Sequence, residues 1–190
     1  MRSILARYLH VLPQEVKFAC SNKGKPELAA GLDASELKFN LSRSGDLALL
    51  AVTLHSAIGV DIEVIDDEFL AGEIADRFFS PTEIKRLHAL SPEKRPAAFF
   101  SCWTRKEAYI KAVGGGLSVS LDSFDVAFGP GISAALLRVE SSPEELSRWS
   151  MFGLDAPRGY AAALVVEGNN HQLENRNWQI ETIMPDNVQS

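Results

Sequence analysis

At 190 residues, with 46% hydrophobic and 23% charged side chains, the chain has the balance of a folded globular protein and not of a disordered one. Its formal charge of −6 excludes a general nucleic-acid binder, and its apolar runs, such as residues 47–52, are far too short to cross a membrane. A chain of this length buries roughly 70% of its unfolded surface, so it folds without a disulfide or metal staple, as one ordinary domain or two small intimate halves.

The charge is unevenly spread. Residues 1–57 hold seven Lys/Arg against five Asp/Glu, whereas residues 58–168 hold eleven against seventeen. A mildly basic first part facing an acidic second part suits a phosphate-rich ligand whose charge is shared with a metal. Cys20 and Cys102 form no C-x-x-C motif and read as reduced thiols of a cytoplasmic protein.

Residues 1–12 set Ile4, Leu5, Tyr8, Leu9 and Leu12 at helical spacing, which predicts an amphipathic helix packed on a core. A transit peptide is the competing reading of this acid-poor start. Pro13-Gln14-Glu15 begins a turn, 16–19 read as a short strand, and Ser21-Asn22-Lys23-Gly24-Lys25-Pro26 reads as a loop. It is not a P-loop: Gly-Lys there is followed by Ser or Thr opening a helix, and Pro26 stands in that place. By itself, Lys25 reads as a surface lysine on a turn.

Residues 39–46 alternate as a strand and break at Gly45-Asp46. A mostly buried strand over 47–54 then makes a hairpin. After the turn His55-Ser56-Ala57, the stretch Gly59-Val60-Asp61-Ile62-Glu63-Val64 alternates apolar and acidic residues. Residues 39–64 are therefore predicted to form a three-stranded antiparallel meander. Asp61 and Glu63, two apart, project from one face of its last strand.

Asp66-Asp67-Glu68 caps a helix through residue 78, and Ser80-Pro81-Thr82-Glu83 is a capping box that starts another. Ser91-Pro92-Glu93 opens a long helix whose regular part is delayed by Pro96. On it Phe99, Phe100, Trp103, Ile110 and Val113 recur at helical spacing and read as core, as does Phe78-Phe79. Trp103, Glu107 and Lys111 follow at i, i+4 and i+8 and share one stripe. Lys106, one position before Glu107, points elsewhere and reads as added charge or as plain surface. Gly114-Gly115-Gly116 stops the helix. Strands over 124–128, 135–140, 150–154 and 159–166 follow, separated by turns such as Gly129-Pro130-Gly131, and a loosely held polar tail begins at Asn169.

A strand offering two carboxylates and a helix offering a third beside an ammonium make an oxygen-rich site that suits Mg²⁺, a hard ion that shares its shell with substrate phosphates. Each motif alone has a plainer reading, a solvated strand face for D-x-E and an exposed helix for K-E-x-x-x-K. Their order is more specific. G-V-D-I-E, then F-F-S-x-x-E, then W-x-x-K-E-A-x-x-K, then G-x-G-L-S resembles the 4′-phosphopantetheinyl transferase superfamily, of the type that activates surfactin synthetase, from about Tyr8 to about Gly168.

That resemblance implies an α+β fold: a pseudo-dimer of two α/β halves, each an antiparallel sheet packed against a long helix, with the site between them. Residues 1–57 form the first half, incomplete and in contact with coenzyme A; residues 58–168 carry the metal and catalytic motifs; residues 169–190 are the polar tail. The reaction it implies is Mg²⁺-dependent transfer of the 4′-phosphopantetheine arm of coenzyme A to a serine of an apo acyl or peptidyl carrier protein, releasing adenosine 3′,5′-bisphosphate. Such an enzyme serves fatty-acid, polyketide or nonribosomal-peptide biosynthesis, and the expectation is a cytoplasmic monomer.

Carried over by motif, Gly24, Lys25 and Pro26 lie against coenzyme A, and Ser42 and Arg43 hold its phosphates. Arg43 stands where the family has a histidine, and a guanidinium still grips phosphate in a bidentate way. Asp61 and Glu107 ligate the metal directly, and Glu63 directly or through a water. Glu107 is also the candidate to receive the serine proton, itself or through a water. Lys111 contacts coenzyme A and stabilises or protonates the departing phosphate. The family's strand-rich segment ahead of the first helix is missing here, so a non-catalytic relative that binds coenzyme A or a carrier protein is the alternative. A Mg²⁺-dependent phosphohydrolase acting on a small nucleotide ranks third.

Overall fold

The computed structural model describes residues 1–21, 23–29, 36–68, 71–140 and 142–178. Helix α1 (Arg2–Leu9) ends on His10 in the left-handed conformation at φ 54°. Its Leu5 and Ala6 are buried with Val16, Leu37 and Phe39 in a small first core. Strand β1 (Phe18–Cys20) starts two residues later than the pattern suggested and pairs antiparallel with β2 (Pro26–Leu28). The sequence reads β2 only as the end of a loop, because three residues starting at a proline show no alternation. The loop between the strands is closed by Ser21 Oγ, which accepts from Lys25 N at 3.0 Å.

Strands β3 (Leu37–Ser44) and β4 (Leu47–Leu54) form the predicted hairpin, in register from Leu37 opposite Leu54 to Ser44 opposite Leu47. Strand β5 (Ile58–Val64) does not continue it. β5 pairs with β9 (Tyr160–Glu167), which pairs in turn with β8 (Trp149–Gly153), giving a three-stranded antiparallel sheet in the order β5-β9-β8. The expected meander over 39–64 is thus corrected to a hairpin followed by the edge strand of a second sheet.

The physical reason lies in the seam between β3 and β5. Asn40 Oδ1 accepts from Val60 N at 2.9 Å, and Ser44 Oγ accepts from Val64 N at 3.0 Å. Backbone groups that a meander would have paired with backbone are satisfied by polar side chains of β3, which protects the β5 edge.

The second part is built around one long helix. Helices α2 (Ala71–Phe78) and α3 (Pro81–His88) precede α4 (Arg95–Val113), which follows a 3₁₀ turn over Pro92–Lys94. α3 begins on the predicted capping box: Glu83 N donates to Ser80 Oγ at 3.3 Å and Ser80 N to Glu83 Oε2 at 3.1 Å. α4 stops at Gly114, whose φ of 66° is the left-handed cap that glycine adopts without strain. It packs across β5 and β9, and Phe79, Phe99, Tyr109, Phe124 and Val165 meet in the main core.

Gly59 makes that packing possible. A Cβ there would lie 2.1 Å from Ala108 O and 2.4 Å from Ala112 N, so only glycine lets the strand backbone touch the helix backbone. Strands β6 (Phe124–Val126) and β7 (Leu136–Val139) add a hairpin, and a single turn α5 (Glu145–Arg148), absent from the sequence reading, leads into β8.

The molecule is therefore α+β, with the antiparallel hairpins β1-β2 and β3-β4 near α1, and the three-stranded sheet β5-β9-β8 and the hairpin β6-β7 around α4. Helix α1 has eight residues and α4 nineteen. Residues 169–178 form no regular element, yet the Arg7 guanidinium carbon lies 4.2 Å from the centroid of the Trp178 ring. The start of the polar tail is thereby tied to α1, while residues 179–190 lie outside the described residues. Among the described residues, no helix is long and apolar enough to cross a membrane.

Candidate active site

Two elements bring the acidic residues together. Alternation along β5 turns Asp61 and Glu63 to the β3 side, and the i, i+4 spacing of α4 sets Glu107 and Lys111 one turn apart on the helix packed against β5. Asp61 is buried, at 2% exposure. Its Oδ1 accepts from Ser42 Oγ at 2.8 Å and from Lys111 Nζ at 2.6 Å. Lys111 Nζ also donates to Ser42 Oγ at 3.1 Å and to Val60 O at 3.3 Å. Glu63 Oε2 accepts from Ser44 Oγ at 2.8 Å. The two serines of β3 thus hold the two carboxylates of β5.

The electrostatics follow from this crowding. Burial pushes the Asp61 carboxyl above the ordinary carboxylate range, against the opposing pull of the Lys111 ammonium. Burial also raises Glu63, with the Ser44 bond opposing and the nearby Asp61 charge adding to it. Glu107 is raised by burial first, then by Asp61, with Lys111 opposing and Glu63 adding a smaller push. Three carboxylates feel one another around one ammonium, which is an excess of negative charge in a poorly solvated place.

Whether a divalent cation fits turns on one atom. Asp61 Oδ2 is buried and has no hydrogen-bond partner, an oxygen left to meet something the protein does not supply. As the side chains lie, no group of three His, Cys, Asp or Glu among the described residues closes into a protein cage for an ion. The donor set instead fits Mg²⁺ as an ion that takes one or two carboxylates and completes its shell with water and substrate phosphate.

A cavity of about 560 Å³ opens beside these groups, within the usual span of small-molecule sites. Gly24, Lys25, Pro26, Glu107 and Lys111 all line it, with Phe78 and Ile110 as apolar wall. Residues as far apart in sequence as 24 and 111 therefore share one surface. Lys25 Nζ donates to Ile58 O at 2.8 Å and to Lys111 O at 2.6 Å, pinning its loop to the start of β5 and the end of α4. Burial lowers the pKa of this lysine, with Glu27 opposing.

Arg43 is the outlier. It is exposed on β3, one step from Ser42 and so on the opposite face from the two serines that reach β5, and it is not among the cavity-lining residues. Among the lining residues that the sequence does not single out for the site, three carry polar side chains: Lys23, whose Nζ donates to Ser118 Oγ at 3.2 Å, Asn40 and Ser120. The signal for Lys23 was its place two residues before Lys25 in the same loop.

Lys106 is neither surface nor added site charge. It is fully buried, 2.7 Å from Glu83 Oε2, and donates to Leu121 O at 2.7 Å. Its Nζ lies 4.2 Å from the Phe124 ring centroid, and Glu83 Oε1 accepts from Val126 N at 2.8 Å. The glutamate of F-F-S-x-x-E and the lysine of W-x-x-K-E are thus one internal ion pair joining α3, α4 and β6.

Comparison with known proteins places residues 57–165 within the 4′-phosphopantetheinyl transferase superfamily. That span holds Asp61, Glu63, Glu107 and Lys111, but not the 24–26 loop or the Ser42-Arg43 pair. The chain is 39% identical over 168 residues to 4′-phosphopantetheinyl transferase HetI of Nostoc sp. (strain PCC 7120), covering 88% of this chain and 68% of that one. It is 36% identical over 126 residues to 4′-phosphopantetheinyl transferase Sfp of Bacillus subtilis (strain 168), covering 66% of this chain and 54% of that one. The match to 4′-phosphopantetheinyl transferase AcpT of Salmonella typhi is 40% over 124 residues, covering 64% and 62% respectively. The chain thus spans between about half and two thirds of the length of these relatives.

Proposed function

Since this chain belongs to the 4′-phosphopantetheinyl transferase superfamily, we propose that it transfers the 4′-phosphopantetheine arm of coenzyme A to a serine hydroxyl of an apo carrier protein, with Mg²⁺, releasing adenosine 3′,5′-bisphosphate. The observation that carries the reading is that Gly24, Lys25, Pro26, Glu107 and Lys111 line one shared cavity, with Asp61 bonded to its Lys111. A phosphate-bearing ligand, a proton acceptor and a cation can meet there.

Mg²⁺, held by Asp61 and Glu107 with Glu63 bound directly or through water, would neutralise the pyrophosphate oxygens of coenzyme A and hold them in line. The remaining work belongs to side chains. The 24–26 loop seats the coenzyme, Ser42 gives its hydrogen to Asp61, and Arg43 would reach a phosphate of the coenzyme from the exposed side of β3, outside that cavity. Glu107 takes the proton of the carrier serine, itself or through a water. The serine oxygen bonds to the pantetheine-side phosphorus as the bond from that phosphorus to the bridging oxygen breaks. Lys111 neutralises or protonates the departing phosphate.

The test is the mass of apo carrier proteins of the fatty-acid, polyketide and nonribosomal-peptide classes after incubation with the protein, coenzyme A and Mg²⁺. The expected result is the gain of one phosphopantetheine group by at least one class. Tight coenzyme A binding with every carrier unmodified would replace this reading with a non-catalytic binder, and phosphate release without a carrier would indicate a hydrolase.

A further inference from the structure

The roles that the metal site and the cavity ask of Lys111 are incompatible in one geometry. An ammonium has three N–H donors. Here Nζ meets three acceptors, Asp61 Oδ1 at 2.6 Å, Ser42 Oγ at 3.1 Å and Val60 O at 3.3 Å, all on the strand side. No donor is left for a phosphate in the cavity that Lys111 lines. The other oxygen of Asp61, Oδ2, is meanwhile buried without a partner.

We infer that Lys111 is the resting counter-ion of Asp61, and that a divalent cation reaching Asp61 displaces it, releasing the ammonium toward the cavity where the leaving phosphate forms. The inference rests on the magnesium reading above and adds an order of events to it.

The physical argument runs through charge and mobility. A buried carboxylate oxygen without a partner is strongly unfavourable, and Glu63 and Glu107, whose charges couple to that of Asp61, add negative potential around it. A doubly charged ion gains more from that potential than an ammonium does. Once such an ion sits on Asp61, it and Lys111 Nζ become like charges competing for one carboxylate. Asp61 is fixed by its strand and by Ser42, whereas Lys111 swings on a four-carbon stem, its side chain 28% exposed against 3% for the side chain of Asp61. The ammonium is the group that moves. Metal and lysine are then linked competitors, each weakening the other at Asp61 by the same factor.

The experiment uses the full chain without coenzyme A and Mn²⁺ as the probe, its binding followed by electron paramagnetic resonance. Lys111→Met should tighten Mn²⁺ binding by about 5–150-fold, the usual range of coupling between linked sites; equal or weaker binding overturns the inference. Should that variant not fold, the parent protein decides. Acetylation of Lys111, read by mass spectrometry, should speed up several-fold when Mn²⁺ is added, and an unchanged rate overturns the inference. Asp61→Asn separates the two levels. Binding lost in Asp61→Asn but unaltered in Lys111→Met rejects the displacement and keeps the magnesium site. Binding unaltered in Asp61→Asn rejects both.

Discussion

Lys106→Met is the sharpest test of how this fold holds its site. Methionine keeps most of the stem volume and removes only the ammonium. What remains is Glu83, 2% exposed, without the charge 2.7 Å away that balances it, and Leu121 O without its donor. Taking one partner from a buried ion pair costs about 3–5 kcal/mol, because the other charge stays buried and uncompensated. For a chain of this length each kcal/mol moves the melting midpoint by roughly 2–4 °C, so a fall of about 6–20 °C is expected by calorimetry or circular dichroism. The double variant Glu83→Gln/Lys106→Met should recover part of this, with a coupling of about 0.5–3 kcal/mol. Recovery stays partial because Glu83 also accepts from Ser80 N and Val126 N. Added salt should leave the difference unchanged, since neither charge meets solvent. A single variant melting within 2 °C of the parent (roughly one kcal/mol or less) would show that the pair does not organise the core.

Asp61→Ala and Glu107→Ala should each abolish Mg²⁺-dependent transfer while the circular dichroism spectrum stays native; unchanged rates in both would remove the metal and base assignments together. Gly59→Ala should destabilise the fold at or above the usual overpacking range of about 1–3 kcal/mol, because the atoms its Cβ meets are helix backbone at 2.1 and 2.4 Å and cannot swing away. A melting midpoint equal to the parent's would mean that β5 can move off α4 freely. Arg43→Ala should loosen coenzyme A by about 10–150-fold in calorimetry, the equivalent of one charge-assisted bond of about 1.5–3 kcal/mol. Equal affinity would return Arg43 to a solvent-facing hairpin residue, the role its exposed side of β3 suggests.

Local signals carried the elements well. The capping box at Ser80, the glycine stop at 114, the hairpin at Gly45-Asp46 and the stripe of Trp103, Glu107 and Lys111 all depend on residues within a few positions of each other, where spacing is informative. Pairing was not legible in the same way. Alternation along 59–64 announces a strand and says nothing about its neighbour, and β9 lies about a hundred residues away. The nearness of β4 in sequence made a meander the natural expectation, and only the Asn40 and Ser44 side chains explain why β3 sits beside β5 without a backbone ladder. The sequence places Lys106 at the surface because a lysine is almost never fully buried unless paired. A signal was present nonetheless. Phe99, Cys102, Lys106 and Tyr109 follow at steps of three, four and three, and all four are buried, so the lysine sits in the core stripe of α4.

That stripe shows how structural and chemical roles divide within one motif. Adjacent residues on a helix are separated by about 100°, so Lys106 in the core sends Glu107 out of it. The Glu83 pair and the Phe124 ring fix the rotation of α4 at Lys106 from the core side, and Gly59 fixes its height over β5 from the sheet side. Together they set the azimuth and depth at which Glu107 and Lys111 meet Asp61. The glutamate and lysine buried under the helix, which join α3, α4 and β6, thus fix one side of α4 while Gly59 fixes the other, and a carboxylate cluster shared by a strand and a helix depends on such internal contacts to keep its geometry.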